Sequence, residues 1–566
     1  MNQIIHITKK IAETAFLKGI HHVVLSPGSR SAPLTIAFAR HPGIITYVIP
    51  DERSAGYIAL GMSLILQQPI GLICTSGTAA INLFSAVAEA FYQHVPLIIF
   101  TADRPPEWID QADGQTIRQV NLYGDHVKKY YNFPSDQDFN SLDWYVERII
   151  NDAVNYACEF IPGPVHINVP TREPFYPDPE EKYIFNEGGK IIETHSSMTS
   201  IDHQIWTDLG NTWEGAARIL IVGGQGRYDE NFIKALSQFS EYFSLPLIGD
   251  SIANIHKVNS NLVTHHDLIL SGNDMNKETL MPDLLITFGQ AVVSKNLKLF
   301  LRRHSPTQHW HIQKAGIVPD TFQSLTTTIY MYPEEFFREA CSKLKGENKS
   351  LTYLTSWKIL EDKASSIINN FFPQSSFSEL EAVYKIIQYL PNNINLHLAN
   401  SMPVRLVNLI GMLKPGIEIF SNRGVCGIDG CTSTALGIAI HSEKLNVLIT
   451  GDMAFFYDRN GLWHNHIPSN FRIIILNNHG GGIFRLIDGP SDLPELEEYF
   501  VTDQKLTARN SGSDFNLDYI LCKDANSLGN SMPTFLRKSK KAKILEIETD
   551  SQINKIIFDS YISQFK

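Results

Sequence analysis

The chain has 566 residues, of which 43% are hydrophobic and 19% charged, and its formal net charge is −11. That length is too great for one core and points to three or four domains of ordinary globular composition. The acidic balance, with no basic run, argues against a nucleic-acid partner, and no apolar run is long enough to span a bilayer. Residues 1–16 read as an amphipathic helix without the apolar core or cleavage site of a signal peptide, so a cytoplasmic protein is expected. The six cysteines, Cys74, Cys158, Cys341, Cys426, Cys431 and Cys522, show no metal-ligand spacing and are expected to be free buried thiols.

Taken in chain order, residues 1 to about 180 alternate apolar runs with helical patterns. His22–Leu25, Ile70–Cys74, Pro96–Phe100 and Val165–Val169 read as buried strands. From about 174 to 212 the texture turns to Pro, Glu, Ser and Thr, which predicts a linker. A second α/β stretch follows, with strands in 217–226, 246–250 and 283–290, each ending on Gly or Asp. Residues 342–375 are polar again, and Ser378 with Glu381 reads as a capping box opening a helix. The last stretch carries strands at Ile394–Leu398, Val447–Thr450, Ile473–Leu476 and Ile544–Ile547. The acidic, aperiodic segment 487–515 is expected to be a mobile surface excursion. The fold class is therefore α/β, with three doubly wound parallel-sheet domains at 1–180, 181–345 and 346–566.

The most informative stretch is 446–484. Val447–Thr450 ends on Gly451-Asp452, and Ile473–Leu476 ends on Asn477-Asn478-His479-Gly480. The gap between them is long enough for a crossover helix, so the two tips should lie side by side at one sheet edge. Ligands bind at such carboxyl ends. Asp452, the Asn478 amide oxygen and the Gly480 carbonyl could supply half of a Mg²⁺ shell, leaving places for a diphosphate and a water. A helix starting at Met453 would aim its free N–H groups at the same phosphates. Each tip alone is compatible with a plain turn; the pair at this spacing favours a site.

Gly-Asp, a helix-length gap and Asn-Asn resemble the diphosphate- and metal-binding motif of thiamine-diphosphate enzymes. Pro50-Asp51-Glu52-Arg53 and the turn Thr75-Ser76-Gly77-Thr78-Ala79-Ala80 are similar to that family's pyrimidine-binding segments. The resemblance implies a pyrimidine-binding, a middle and a diphosphate-binding domain. It implies thiamine diphosphate with Mg²⁺ or Mn²⁺, held by Glu52, Gly77, Ser401, Asp452, Asn478, Ile483 and Phe484. Glu52 would bond the aminopyrimidine ring nitrogen and set its tautomer, which requires an apolar pocket that keeps the carboxyl protonated.

Arg30, Arg104, Arg405 and Arg423 all sit at or just beyond strand ends. Arginine binds carboxylates by a planar two-pronged bond, so this set points to substrates with several carboxylates. The blocks SPGSRSAPLT, DERSAGYIALG, TSGTAAINL, TADRPPEWID, GQTIRQ, SNRGVCGIDG and GDMAFFYDRNGLW resemble one branch of the superfamily, the 2-succinyl-5-enolpyruvyl-6-hydroxy-3-cyclohexene-1-carboxylate synthases of menaquinone biosynthesis. That branch decarboxylates 2-oxoglutarate and adds the succinyl carbanion to isochorismate. The resemblance implies catalytic roles for Glu52, Arg30, Gln115 and Ser401. It implies substrate contacts from Arg30, Arg104, Gln115, Lys295, Arg405, Arg423 and Phe484. It also implies a homodimer or dimer of dimers, with the site between subunits.

Three positions depart from that pattern: His479 and Gly114 where Asn is common, and Asn296 where a second basic residue is expected beside Lys295. Neither Arg302 nor Arg303 is an assured replacement. Other readings remain at this stage. One is an acetohydroxyacid-synthase-like enzyme or 2-oxoacid decarboxylase, against which the arginines argue. Another is a cofactor-less scaffold, against which Glu52, Asp452 and Asn478 argue. Residues 222–226, VGGQG, hold only a fragment of a dinucleotide fingerprint and read as a tight turn.

Overall fold

The computed structural model describes residues 3–134, 141–173, 175–178, 181–185, 188–195, 201–258, 261–272, 277–487 and 489–565. It contains three six-stranded parallel sheets with flanking helices. The first holds β1 (His22–Leu25), β2 (Ile45–Val48), β3 (Ile70–Cys74), β4 (Leu97–Asp103), β5 (Lys129–Asn132) and β6 (Val165–Pro170), in the order β2-β1-β3-β4-β6-β5. The second holds β7 (Ile219–Gly223), β8 (Leu247–Gly249), β9 (Leu262–Val263), β10 (Leu284–Phe288), β11 (Gln308–Gln313) and β12 (Thr327–Tyr330), in the order β12-β11-β10-β7-β8-β9. The third holds β13 (Ile394–Leu398), β14 (Glu418–Phe420), β15 (Leu445–Gly451), β16 (Phe471–Asn477), β17 (Asp518–Cys522) and β18 (Lys543–Glu548), in the order β14-β13-β15-β16-β18-β17. The first and third sheets thus share one topology, while the second has the order of a dinucleotide-binding sheet.

The central strands are buried along their whole length, as parallel strands covered on both faces must be. That is why β1, β3 and β13 have the ends expected from their apolar runs. The strands with no expected counterpart lie towards sheet edges. β5 has only part-buried or exposed residues, and β9 and β14 are two and three residues long.

The chain forms two compact units. One comprises Met1–Ser196, Asn422–Asn446 and Ala454–Phe471, and contains the first sheet. In it, helix Glu52–Leu66 is buried at every position from Ser54 to Ser63. It lies against helix Cys431–Ile440 at backbone contact: a Cβ on Gly61 would stand 2.1 Å from the Thr434 carbonyl oxygen, and one on Gly437 2.2 Å from that of Ile58. Only glycine permits that approach. The other unit comprises Ser197–Ser421, Val447–Met453 and Arg472–Lys566, with the second sheet and most of the third. Its core includes Trp213, Phe239, Phe243, Phe288 and Trp310.

Four expectations need correction. The linker expected at 174–212 lies partly outside the described residues, at 174, 179–180, 186–187 and 196–200, and it ends early. Helix His203–Gly215 starts there, capped by the Asp202 carboxylate and buried through Trp206, Leu209 and Trp213. The polar stretch 342–375 is mostly helix Leu351–Phe371, whose inward stripe is Tyr353, Leu354, Trp357, Ala364 and Ile368. Burial of Leu354 and Ile368 stabilises by about 1.5–3 kcal/mol each. Of 487–515, residue 488 lies outside the described residues. The rest is mostly exposed, as expected of a surface segment, but is not aperiodic in structure, with a π-helix at Leu496–Val501 and an α-helix at Arg509–Asp514. Finally, all six cysteines are free, but only Cys74, Cys431 and Cys522 are buried; Cys158 and Cys426 are exposed.

Candidate active site

In the first unit the tips of β1, β3 and β4 converge. A Cβ on Gly28 would stand 2.3 Å from Thr75 Cβ, so the Ser26–Arg30 turn touches the β3 turn through glycine alone. Gly77 has φ +82° and caps helix Thr78–Asn82; its N–H donates to Gln119 Oε1 at 2.8 Å. Ser76 Oγ donates to the Gln115 carbonyl at 2.9 Å, and Gln115 itself has φ +56°. Gln119 also donates to the Ala102 carbonyl and to Asn168 Oδ1, tying this turn to β4 and β6. Arg30 is buried, donates to the Thr171 carbonyl at 3.1 Å and lies over the Phe175 ring. Arg104 pairs with Asp113 at 3.0 Å and donates to the Gly114 carbonyl at 2.8 Å. Space around Gly114 is open, so the side chain missing at that departure would fit.

Glu52 is the first residue of its helix, set there by Asp51, whose carboxylate accepts from Ser54 N–H at 3.2 Å. It is half-buried, and its charge helps to push the Cys74 thiol up, after the larger effect of burial. Arg423 is buried in a loop held by Glu89, whose carboxylate accepts from Gly424 and Val425 N–H at 2.7 Å each.

In the second unit β15 and β16 are neighbours, so their tips do lie side by side. The crossover between them is not one long helix. It consists of helix Asp452–Tyr457, starting one residue earlier than expected, and a 3₁₀ turn at Arg459–Leu462. Asp452 is 2% exposed, and its Oδ2 accepts from Gln504 Nε2 at 2.7 Å. Burial pushes its carboxyl up to about 6. Asn478 Nδ2 donates to Glu379 Oε1 at 2.7 Å, while its Oδ1 accepts from Gly480 N–H at 3.2 Å. Burial, and then the Asp452 charge, push Glu379 up to about 7. His479 has φ +65°, a conformation in which asparagine is more at home, and its Nε2 lies 3.7 Å from Glu548.

Do these residues suit a hard cation? The oxygens of Asp452, Asn478 and Gly480 are the right donor type, and each amide or carbonyl oxygen keeps a second lone pair. The buried Asp452 carboxylate, pushed up by desolvation, is a group that a cation would relieve. Among the described residues no group of three or more His, Cys, Asp or Glu could hold a metal. Such a cluster is not needed where one carboxylate, an amide and a carbonyl serve with a diphosphate.

Beside the tip of β13, Ser401 has φ +72° and ψ −129°, a strained conformation of the sort that collects at active sites. Arg405 Nη1 donates to its carbonyl at 2.6 Å. A cavity of about 530 Å³ is lined by Lys295, Arg405 and Ile483, with Asn296, Arg303 and Asp267. Phe484 is not among its lining residues and packs against Phe500. The Asn296 amide donates to the carbonyl and the Oδ1 of Asp267, so the departure there staples two helices. Arg302 is spent on the Thr321 carbonyl, whereas Arg303 faces the cavity. Lys295 is placed by Asp250, whose Oδ2 accepts from Val293 and Ser294 N–H. Burial opposes the charge on Asp250, but its bonds to His266 and these N–H groups hold it below the usual carboxylate range.

Sequence reasoning missed Gln119, Glu379, Gln504 and Asp250. Gln119 closes the GQTIRQ block, but its role shows only in its bonds to Gly77, Ala102 and Asn168. The other three belong to no quoted block, and each meets its partner across a long chain separation.

A strained turn, a half-buried glutamate at a helix start and an oxygen-rich corner at parallel strand tips are the features expected of a thiamine-diphosphate enzyme, and the matches to known proteins give that class. Residues 6–122 match the model of the thiamine pyrophosphate enzyme N-terminal TPP binding domain, and residues 191–398 match that of the middle domain of thiamine pyrophosphate enzymes. The fold is similar to that of a benzoylformate decarboxylase from Polynucleobacter necessarius, with a TM-score of 0.69 at 15% identity over 97% of this chain and 99% of that one. The chain is 43% identical to a 2-succinyl-5-enolpyruvyl-6-hydroxy-3-cyclohexene-1-carboxylate synthase from Cytophaga hutchinsonii, over 97% of each chain. It is 37% identical to one from Porphyromonas gingivalis, over 97% of this chain and 95% of the other. The chain belongs to this synthase family.

Proposed function

We infer that the protein catalyses the thiamine-diphosphate-dependent decarboxylation of 2-oxoglutarate and the addition of its succinyl unit to isochorismate, a step of menaquinone biosynthesis. Bound thiamine diphosphate supplies the electron sink for decarboxylation. Asp452, Asn478 and Gly480 hold Mg²⁺ or Mn²⁺ against the diphosphate. Glu52 holds the pyrimidine ring nitrogen, and Gly77, Ser401, Ile483 and Phe484 pack the cofactor. Arg30, Gln115 and Ser401 act with Glu52 on the reacting groups. Arg104, Lys295, Arg405 and Arg423, with Arg30 and Gln115, bind substrate carboxylates, and Phe484 packs the acceptor.

The observation that carries this reading is the cavity that brings Lys295, Arg405 and Ile483 together. Four cationic residues, Lys277, Lys295, Arg303 and Arg405, on one partly apolar cavity suit a dicarboxylate better than pyruvate. Residues 1–180 form the pyrimidine-binding domain, 181–345 the middle domain and 346–566 the diphosphate-binding domain. The active species is a homodimer or a dimer of dimers, with Glu52 of one subunit serving the diphosphate corner of another. It works in the cytoplasm; no helix among the described residues is long and apolar enough to cross a membrane.

The test is incubation with thiamine diphosphate, Mg²⁺, 2-oxoglutarate and isochorismate. CO₂ and the succinylated product are expected together. CO₂ from pyruvate but not from 2-oxoglutarate would overturn the reading.

A further inference from the structure

We propose that Glu379 and Gln504 are positioning residues of the cation corner, holding Asn478 and Asp452 from behind so that their ligand oxygens face one place. This rests on the reading of Asp452, Asn478 and Gly480 as cation ligands.

The two ends of the Asn478 side-chain amide are similar in shape, and only one can ligate a cation. An ionised carboxylate accepts and does not donate, and the Gly480 N–H at the other end of the amide needs an acceptor. Glu379 Oε1, 2.7 Å from Nδ2, therefore takes the nitrogen and leaves Oδ1 on the other side, towards Gly480. Glu379 is itself fixed. It is the first residue of helix Glu379–Tyr389, follows the fully buried cap Ser378, and its N–H donates to Asn554 Oδ1 at 2.9 Å. Glu381 is not the reciprocal half of that cap, because its carboxylate pairs with Lys385 at 3.1 Å. Glu379 is 5% exposed, and the partner its carboxylate meets is a neutral amide. A buried carboxylate is costly unless something positive lies near it. A cation held by Asn478 and Asp452 would supply that charge.

Gln504 treats Asp452 in the same way. Its Oε1 accepts from Leu506 N–H at 2.5 Å, so its nitrogen faces Asp452 Oδ2 at 2.7 Å and Asn477 Oδ1 at 3.2 Å. Its backbone N–H donates to the His479 carbonyl at 3.0 Å, which locks the support onto the β16 tip. One Asp452 oxygen is thus committed to an outer partner, the arrangement by which ligand carboxylates are aimed. The sequence separations are 99 residues for Glu379 with Asn478 and 52 for Gln504 with Asp452. No linear motif reports either pair.

The test is Mg²⁺ titration by calorimetry, with thiamine diphosphate present, alongside Mn²⁺ electron paramagnetic resonance and the melting temperature of the cofactor-free protein. Glu379→Ala and Gln504→Ala should each weaken Mg²⁺ binding by about 10- to 100-fold and broaden the Mn²⁺ signal. Glu379→Gln, which can still accept through its amide oxygen, should recover most of the affinity. Gln504→Ala lies outside regular secondary structure, so the test survives if Glu379→Ala folds poorly. Unchanged Mg²⁺ affinity in both alanine variants, with loss in Asp452→Ala, would overturn the positioning roles alone. Unchanged affinity in Asp452→Ala as well would remove the corner on which they rest.

Discussion

The second and third sheets both reverse strand order near their centres, β7 against β10 in one and β13 against β15 in the other. Such points are where open α/β sheets bind ligands. In the second sheet the chain fills the space itself. A Cβ on Gly224 would stand 2.2 Å from the Gln290 carbonyl oxygen, Gly224 N–H donates to Phe288 and Gln225 N–H to Ala291, each at 2.8 Å. In the third sheet the tips carry Asp452, Asn477 and Asn478, and Ser401 is strained beside them. Strand order offers a crevice in both; the residues at the tips decide whether it is a turn or a site.

The largest effect should fall on the structural side of this comparison. Asp250→Ala removes one member of a buried pair, since His266 Nε2 lies 3.1 Å from Asp250 and both side chains are fully buried. Unfolding by denaturant should show a loss of about 3–5 kcal/mol, with Mg²⁺ affinity unchanged in the folded fraction. A loss of Mg²⁺ affinity there would blur the division between the sheets. On the other side, Asp452→Ala should cost more than the roughly 100-fold typical of an outer-shell loss in Mg²⁺ affinity, while melting of the cofactor-free protein changes little. Wild-type affinity in that variant would break the comparison outright.

A smaller effect is expected at the cavity. Arg405→Ala should raise the KM for 2-oxoglutarate by roughly 10- to 100-fold, from the loss of a charge-assisted bond of about 1.5–3 kcal/mol. A monocarboxylate probe should suffer less, and equal effects would remove Arg405 from dicarboxylate recognition.

The smallest effect is a control from outside both sheets. Asp458 is buried and accepts from Ser433 N–H and Oγ at 2.8 Å each. Burial pushes its carboxyl from 3.8 up to about 7. Because the folded value is raised, its contribution to stability is fully present below about pH 4 and is lost as pH rises through about 7. The melting temperature of the cofactor-free protein should therefore fall between about pH 4 and 7, and Asp458→Asn should flatten that slope. An identical slope in the variant would show that Asp458 does not titrate there.

Much of the third sheet was legible in the sequence. The apolar runs of β13, β15 and β16 are buried in full, so each run falls within its strand, and the polar tips stand out against them. The edge strands β5, β9 and β14 bury too little apolar surface to leave such a trace. Helix Leu351–Phe371 was overlooked because its polar residues outnumber the inward stripe around Trp357. Segment 487–515 lacks helical period because its order comes from single bonds, such as those of Gln504, to distant strand tips. Glu52, Arg30, Arg104 and Arg423 lie in long motif blocks, whereas Arg405 was read only from its place beyond a strand end. Glu379 and Asp250 were not, because their partners are joined to them only by the fold.

The most direct measurement is anomalous diffraction from crystals grown with Mn²⁺ and thiamine diphosphate. A single strong peak against Asp452, Asn478 and Gly480 at the tips of β15 and β16 is predicted, with none at the Gly224 turn of the second sheet. A cofactor-associated peak at the Gly224 turn, or none at the third-sheet corner, would contradict the account.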